Sequence, residues 1–392
     1  MPRLRTLSAL SATACLTAAT ALTATAAPSP TPGVVGNKPS FSPDLSGNGR
    51  YVVFASDATN LVPGDTNGKR DIFVRDTVNK TTRLVSKGLG GKLSNGASYS
   101  PSISDDGRYV AYTSQATNLV TGDTNSKVDA FRTDLTTGTT IRVSVGAANA
   151  QGNGVSEGAR ISGNGALIVF GSTSSNLVKG DTNNVADVFL RDTTTGTTRR
   201  LSMTPQGNQN VYPSTGATIS PSGSVIGFIG PVGGHTGLFQ WNKTTGTTTL
   251  IRDGGPDITF GQTQASNGGL SYAFRDEGDP YYTAFFVEVV ASPTKAFEVN
   301  DWDWSTSFDN VPFDVSKWGA MVVALTSDHA AVADNYIDLS DPSGELATLY
   351  GYYDAVAFSS DGNTVTLRDG NAGQIVTWAW RTSTTTTVVS VN

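Results

Sequence analysis

A glycine ahead of a short apolar stretch recurs along this chain at a constant spacing. Gly49 opens GRYVVF, Gly107 opens GRYVAY, Gly165 opens GALIVF and Gly223 opens GSVIGF, each 58 residues after the last. Gly269 (GLSYAF), Gly319 (GAMVVA) and Gly362 (GNTVTL) continue the series at spacings of 46, 50 and 43 residues. An internal repeat outranks every other reading of a sequence, because each copy is one supersecondary unit that needs its neighbours to bury its faces. Seven units are counted, the first three closely alike and the last four diverged.

Unit two shows the plan within a unit. SPSIS (100–104) reads as a strand, and Asp105-Asp106-Gly107 as a hairpin turn whose glycine tolerates positive φ. RYVAYTS (108–114) alternates as a half-buried strand would. A long polar loop follows, then DAFRTD (129–134), a second turn at LTTGTT, and IRVSV (141–145). Unit one repeats this with RYVVFAS, DIFVRD and TRLVS, and unit three with ALIVFGS, DVFLRD and TRRLS. Four antiparallel strands per unit, repeated around a ring, make an all-β β-propeller. Radial packing buries both faces of each sheet and leaves only short edges. Seven blades are expected over residues 39–392; six, with one unit misread, is the alternative.

Composition agrees. Of 392 residues 38% are hydrophobic and 15% charged, with 43 glycines, which suits short strands and tight turns and is too apolar for a disordered chain. The net charge is −6 and no basic run follows the N-terminus, so nucleic acid is not an expected partner. Arg3 and Arg5, an Ala/Leu/Thr stretch and Ala24-Thr25-Ala26 read as a secretory signal peptide over 1–26, followed by a Pro/Gly-rich linker over 27–38. Its removal takes both arginines and Cys15, the one cysteine, so the mature chain forms no disulfide. Ala12-Thr13-Ala14 fits a lipid-anchor signal poorly, and no anchor is expected. No later run of about 18 apolar residues exists to span a membrane. The expectation is a secreted monomer, extracellular or periplasmic.

The units PDLSGNGRYVVFAS…DIFVRDTVNKTTRLVS and PSISDDGRYVAYTS…DAFRTDLTTGTTIRVS resemble the TolB-like, or PD40 (WD40-like), family of bacterial propeller repeats. That family shows an S-x-D-G turn, an apolar strand and a D-[IV]-[FY] strand. The resemblance covers roughly 40–392 and is strong in units one to three. It implies the propeller fold. It also implies two kinds of role, since the family includes periplasmic scaffolds that bind partners and propeller domains that gate peptidases.

The second-to-third loop carries GDTNGKRD (64–71), GDTNSKVD (122–129) and GDTNNVAD (180–187), in the same register each time. Unit four has the shorter GPVGGHT instead. In a propeller this loop and the fourth-to-first loop emerge on one face, so the three copies should sit side by side. Asp65, Asn67 and Asp71, with Asp123, Asn125, Asp129 and Asp181, Asn183, Asp187, offer oxygens of the kind that bind Ca²⁺. The pattern departs from an EF-hand, since its fifth position is Lys69, Lys127 or Val185. Asp76, Asp134 and Asp192 lie five strand residues beyond, about 16 Å away, too far to share an ion. The competing reading is that these Asp and Asn side chains only shape turns.

Catalytic signals are sparse. His235 and His329 fall in or near second-to-third loops of units four and six, without a companion triad or metal motif. No nucleophile elbow, phosphate loop or nicotinamide fingerprint is present. Trp302 and Trp304, flanked by Asp301 and Asp303, fit either blade packing or a sugar platform, and Asp276-Glu277-Gly278-Asp279 reads as a turn. The leading expectation is a non-enzymatic propeller that binds a protein or glycan through the elaborated face of blades 1–3, with Ca²⁺ ordering the loops. The rival is a hydrolase or lyase acting on carbohydrate or lactone at the channel mouth, with His235 or His329 beside a carboxylate.

Overall fold

The computed structural model describes residues 35–266 except Pro205, and beyond them 269–276, 284–290, 295–299, 313–315, 321–325, 336–340, 346–350, 353–359, 364–369, 372–378 and 386–389. The leader, most of the linker, His329 and Trp302–Trp304 lie outside these residues. The described strands form seven four-stranded antiparallel sheets, each built from consecutive strands. Blade 1 holds β1 (Ser40–Leu45), β2 (Tyr51–Ser56), β3 (Asp71–Asp76) and β4 (Thr81–Leu84). Blade 2 holds β5 (Ser98–Ile103), β6 (Tyr109–Ser114), β7 (Asp129–Asp134) and β8 (Thr140–Arg142). Blade 3 holds β9 (Ser156–Ile161), β10 (Leu167–Ser172), β11 (Asp187–Asp192) and β12 (Thr197–Arg200). Blade 4 holds β13 (Thr215–Ile219), β14 (Val225–Val232), β15 (His235–Asn242) and β16 (Thr247–Asp253). Blade 5 runs through β17 (Ile258–Ser266), β18 (Gly269–Asp276), β19 (Ala284–Val290) and β20 (Lys295–Val299). Blade 6 runs through β21 (Phe313–Val315), β22 (Met321–Leu325), β23 (Tyr336–Ser340) and β24 (Leu346–Tyr350). Blade 7 runs through β25 (Tyr353–Phe358), β26 (Val365–Asp369), β27 (Gln374–Trp378) and β28 (Thr386–Val388).

The first strands contact one another in a closed circuit, β1 to β5, β9, β13, β17, β21, β25 and back to β1. They therefore line the axis of a β-propeller, and the fourth strands lie outside. Position in the blade corrects one reading of the sequence. The second strands were expected to alternate, but β2 and β6 are buried along nearly their whole length, and β3 entirely so. A middle strand is covered on both faces by neighbouring blades, so it reads as an unbroken apolar run; only outer strands such as β4 alternate. Between the second and third strands of blades 1–4 an aromatic pair stacks: Phe54–Phe73 at 6.0 Å, Tyr112–Phe131 at 6.0 Å, Phe170–Phe189 at 5.9 Å and Phe228–Phe239 at 5.4 Å.

The recurring glycine has a steric cause. Gly107 closes the β5–β6 turn at φ +71°, and a Cβ there would run into the Tyr51 ring of blade 1. Gly165 meets Tyr109 of blade 2 in the same way. The turns also join blade to blade, since Gly47 N donates to Asp105 O (2.9 Å), Asp105 N to Gly163 O (2.8 Å) and Gly163 N to Pro221 O (2.8 Å). Gly107→Ala should cost about 2–4 kcal/mol, from left-handed backbone strain and overpacking together. A urea unfolding midpoint unchanged by this substitution would contradict that account.

No described strand is shared across the junction of blades 1 and 7. Ser40 N donates to Gly373 O at 2.7 Å, Arg368 Nε donates to Ser40 O at 2.7 Å, and the Arg368 guanidinium lies 4.7 Å over the Phe41 ring. Leu45, Val52, Phe54 and Phe73 of blade 1 share one apolar cluster with Ile375 and Val389.

Candidate functional site

The GDTN loops leave β2, β6 and β10 on one face of the ring, where the fourth-to-first loops also emerge. The two sets are bonded together in all three blades. Asn67 Nδ2 donates to Asp71 Oδ2 (2.7 Å) and to the Ser94 carbonyl (3.3 Å). Asn125 Nδ2 donates to Asp129 Oδ2 (3.1 Å) and the Gly152 carbonyl (2.9 Å), and Asn183 Nδ2 to Asp187 Oδ2 (2.8 Å) and the Asn210 carbonyl (2.9 Å). The other amide atom shapes the turn: Asn67 Oδ1 accepts from Lys69 N, and Asn125 Oδ1 from Lys127 N, each at 2.9 Å.

The last aspartate of each motif opens the third strand and is fully buried. Asp71 Oδ1 accepts from Ser86 Oγ (2.5 Å) and Ser94 Oγ (2.9 Å), Asp129 Oδ1 from Ser144 Oγ (2.6 Å), and Asp187 Oδ1 from Ser202 Oγ (2.5 Å). Ser86, Ser144 and Ser202 sit just past the fourth strand, so the aspartate ties loop, third strand and fourth strand into one unit. Burial pushes the Asp71 carboxyl above the usual range despite these donors.

The first aspartates divide. In blade 2 Arg142 Nη1 lies 3.4 Å from Asp123 Oδ1 and 3.1 Å from Asp129 Oδ2, and Gln151 Nε2 donates to Asp123 Oδ1 at 3.0 Å. In blade 3 Arg200 Nη1 lies 3.0 Å from Asp181 Oδ1 and 3.4 Å from Asp187 Oδ2, and also donates to Gln209 Oε1 at 2.9 Å. One guanidinium nitrogen thus bridges both carboxylates of each motif. Register places Leu84 at the position of Arg142 and Arg200, because Leu84 pairs with Phe73 as Arg142 pairs with Phe131 and Arg200 with Phe189. Leu93 falls at the position of Gln151 and Gln209. Asp65 is 4% exposed, and no side chain hydrogen-bonds its oxygens; the backbone N–H of Asn67 is the donor that favours its charged form. Burial, then the charge of Asp71, pushes its carboxyl up to about 6.

The three motifs, alike in sequence, are therefore not alike in charge. What distinguishes them comes from the fourth strand and the loop after it, and comparing positions 58 residues apart reveals it. Lys69 and Lys127 are exposed. Asp76 and Asp134 sit at the far ends of β3 and β7, paired with Arg50 (2.7 Å) and Arg108 (2.8 Å) on the opposite face. Asp192 accepts from Thr194 N (2.8 Å) at its own turn. Among the described residues no group of three or more His, Cys, Asp or Glu side chains is placed to hold a metal ion.

Beside the loops, towards the axis, lies a cavity of about 630 Å³ over blades 2–4, lined in part by Tyr99, Gln115, Glu157, Arg160, Thr173 and Thr215. It is framed by bulges in the innermost strands, where Ser100, Gly158 and Gly216 take positive φ and break the pairing of β5, β9 and β13. The axis below narrows to about 130 Å³ between side chains that include Asp44, Ser102, Arg160, Thr218 and Gln264. His235 is exposed beside the Gly233-Gly234 turn of the β14–β15 hairpin, and no carboxylate of the described residues pairs with it. His329, Trp302, Trp304, Asp301, Asp303, Glu277 and Asp279 lie outside the described residues.

The fold and this face define a β-propeller with one elaborated side. No family model matches the chain, and no curated protein does. Solved structures do. The β-propeller domain of the Trilobed protease from Pyrococcus furiosus, described as having an open velcro topology, matches at 12% identity and TM-score 0.54 over 89% of this chain and 94% of that one. Oligogalacturonate lyase from Vibrio parahaemolyticus matches at 12% identity and TM-score 0.53 over 86% of this chain and 88% of the other. TolB from Acinetobacter baumannii matches at 18% identity and TM-score 0.42 over 68% of this chain and 55% of that one, so the chain spans little more than half of that protein. At these identities the likeness is one of fold. The propeller fold read from the repeat units accords with the β-propeller structures among the matches.

Proposed function

We propose that this chain is a secreted, non-enzymatic binding propeller, exported by the Met1–Ala26 leader, whose working surface is the loop face of blades 1–3 and the adjoining cavity. One observation carries the reading. The second-to-third and fourth-to-first loops are cross-bonded through Asn67, Asn125 and Asn183 into a continuous, pre-shaped polar platform. Pre-organised polar surfaces around a concave patch suit recognition of a polar partner, since little entropy is lost on binding. Glu157 and Arg160 supply both signs of charge at the cavity, and Tyr99 supplies an aromatic face. A protein segment or a glycan chain fits such a lining.

The test is binding to immobilised cell-surface proteins and polysaccharides, with oligogalacturonate included because a protein of the same fold acts on it. Tyr99→Ala with Glu157→Ala on the loop face should weaken binding at least tenfold. Asp106→Ala with Asn164→Ala, on the opposite face, should leave it unchanged. Equal losses from both pairs would remove the loop face as the working surface. Shortened glycan products would replace the binding reading with the lyase alternative.

A further inference from the structure

We propose that the first GDTN loop, and neither the second nor the third, holds a single hard cation of the calcium class between Asp65 and Asp71. The inference goes beyond the binding-face reading and stands without it.

Blades 2 and 3 mark where positive charge belongs. Arg142 Nη1 and Arg200 Nη1 each reach both carboxylates of their motif, so the point between them is a cation's position filled by the chain itself. Blade 1 keeps both carboxylates and puts Leu84 and Leu93 where the arginine and glutamine stand. Asp65 is left 4% exposed with both oxygens buried, no cationic or amide side chain against them, and the backbone N–H of Asn67 as the nearest donor. An isolated buried carboxylate is costly, and a second one beside it adds repulsion.

The oxygens available suit calcium. Asp65 presents a carboxylate with no side-chain donor, and Asp71 presents a second carboxylate that already accepts from Asn67, Ser86 and Ser94. Ca²⁺ takes carboxylate, amide and carbonyl oxygens in irregular arrangements. Mg²⁺ demands a regular octahedron and retains several waters, a geometry that two carboxylates from one loop are less suited to impose. The loop supplies only oxygen ligands, which disfavours the softer transition metals.

The experiment uses the full chain, stripped with chelator, then followed by calorimetric titration and thermal unfolding in CaCl2, MgCl2 and NaCl. One Ca²⁺ per chain is expected, with a midpoint rise of roughly 3 °C or more at a hundredfold excess over Kd and a smaller response to Mg²⁺. Leu84→Arg, which rebuilds the arrangement of blades 2 and 3, should abolish the calcium response while keeping or raising the midpoint in chelator. Asp65→Asn should also abolish it, and Asp123→Asn should retain it. An unmoved wild-type midpoint with no heat of binding overturns the proposal. So does a Leu84→Arg chain that binds Ca²⁺ as the wild type does, or a response lost in Asp123→Asn and kept in Asp65→Asn.

Discussion

Arg142→Leu should destabilise the chain by about 3–5 kcal/mol at neutral pH, the cost of removing one partner from a buried ion-pair cluster. The Arg142 side chain is 9% exposed and the two carboxylates it bridges are 1% and 0% exposed. Its second nitrogen also donates to the Gly122 carbonyl at 2.9 Å, closing the GDTN loop over the fourth strand. Without it Asp123 retains only Gln151, and Asp129 retains Ser144, Asn125 and Gln151. Burial already raises the Asp123 carboxyl and the arginine opposes that rise, so losing the arginine raises it further. A carboxyl whose folded pKa lies above its unfolded one costs stability progressively as pH rises from the unfolded value to the folded one, and the penalty fades on acidification. The gap between Arg142→Leu and wild type in urea should therefore narrow from pH 7 to pH 4. Adding Asp123→Asn should recover part of the loss. A deficit below about 1 kcal/mol, the range of a solvated surface pair, would mean that the cluster is not desolvated as the structure has it.

Phe131→Ala should cost a similar amount, about 3–5 kcal/mol, by a different route. Phe131 is fully buried, stacks on Tyr112 at 6.0 Å, and belongs to a cluster that includes Val53, Ile72 and Val74 of blade 1 as well as residues of blade 2. Its removal opens a cavity at the apolar boundary between two blades. The loss should be pH-independent, which separates it from the arginine effect, and Phe131→Leu should restore most of it. Unchanged unfolding of Phe131→Ala would show that the blades slide to fill the gap, contrary to a close-packed interior.

The fold was legible because its cause is local and repeated. Gly107 and Gly165 recur since a Cβ at either would strike the preceding blade, so the sequence spacing reports the blade spacing. The clustering of the loops was legible for the same reason, as strand count alone decides which loops share a face. The charge of the loops was not, because the deciding residue stands on another strand: Arg142, Arg200 and Leu84 meet the motif only after β3 and β4 and their equivalents fold back on each other. By sequence Asp71, Asp129 and Asp187 read as turn formers or ligands. In the structure each is the acceptor that knits loop to strand. His235 attracted notice by residue type, yet it stands exposed on a hairpin and no carboxylate of the described residues pairs with it.

Each sheet is closed by its own four strands, the seventh included, and the described strands of blade 1 pair with none of blade 7. In mechanical terms the ring is a necklace whose clasp rests shut without being fastened. Tension applied at the two ends of the chain would load the Val35 and Asn37 contacts with Asn60 and the β27–β28 ladder, and then the seam at Ser40, Phe41, Gly373 and Arg368, which itself parts without unzipping any ladder. Blades would then peel away one at a time from either side of the gap. A neighbour wedged against that seam would gain leverage over the whole circle, and a neighbour spanning it would serve as the missing fastener.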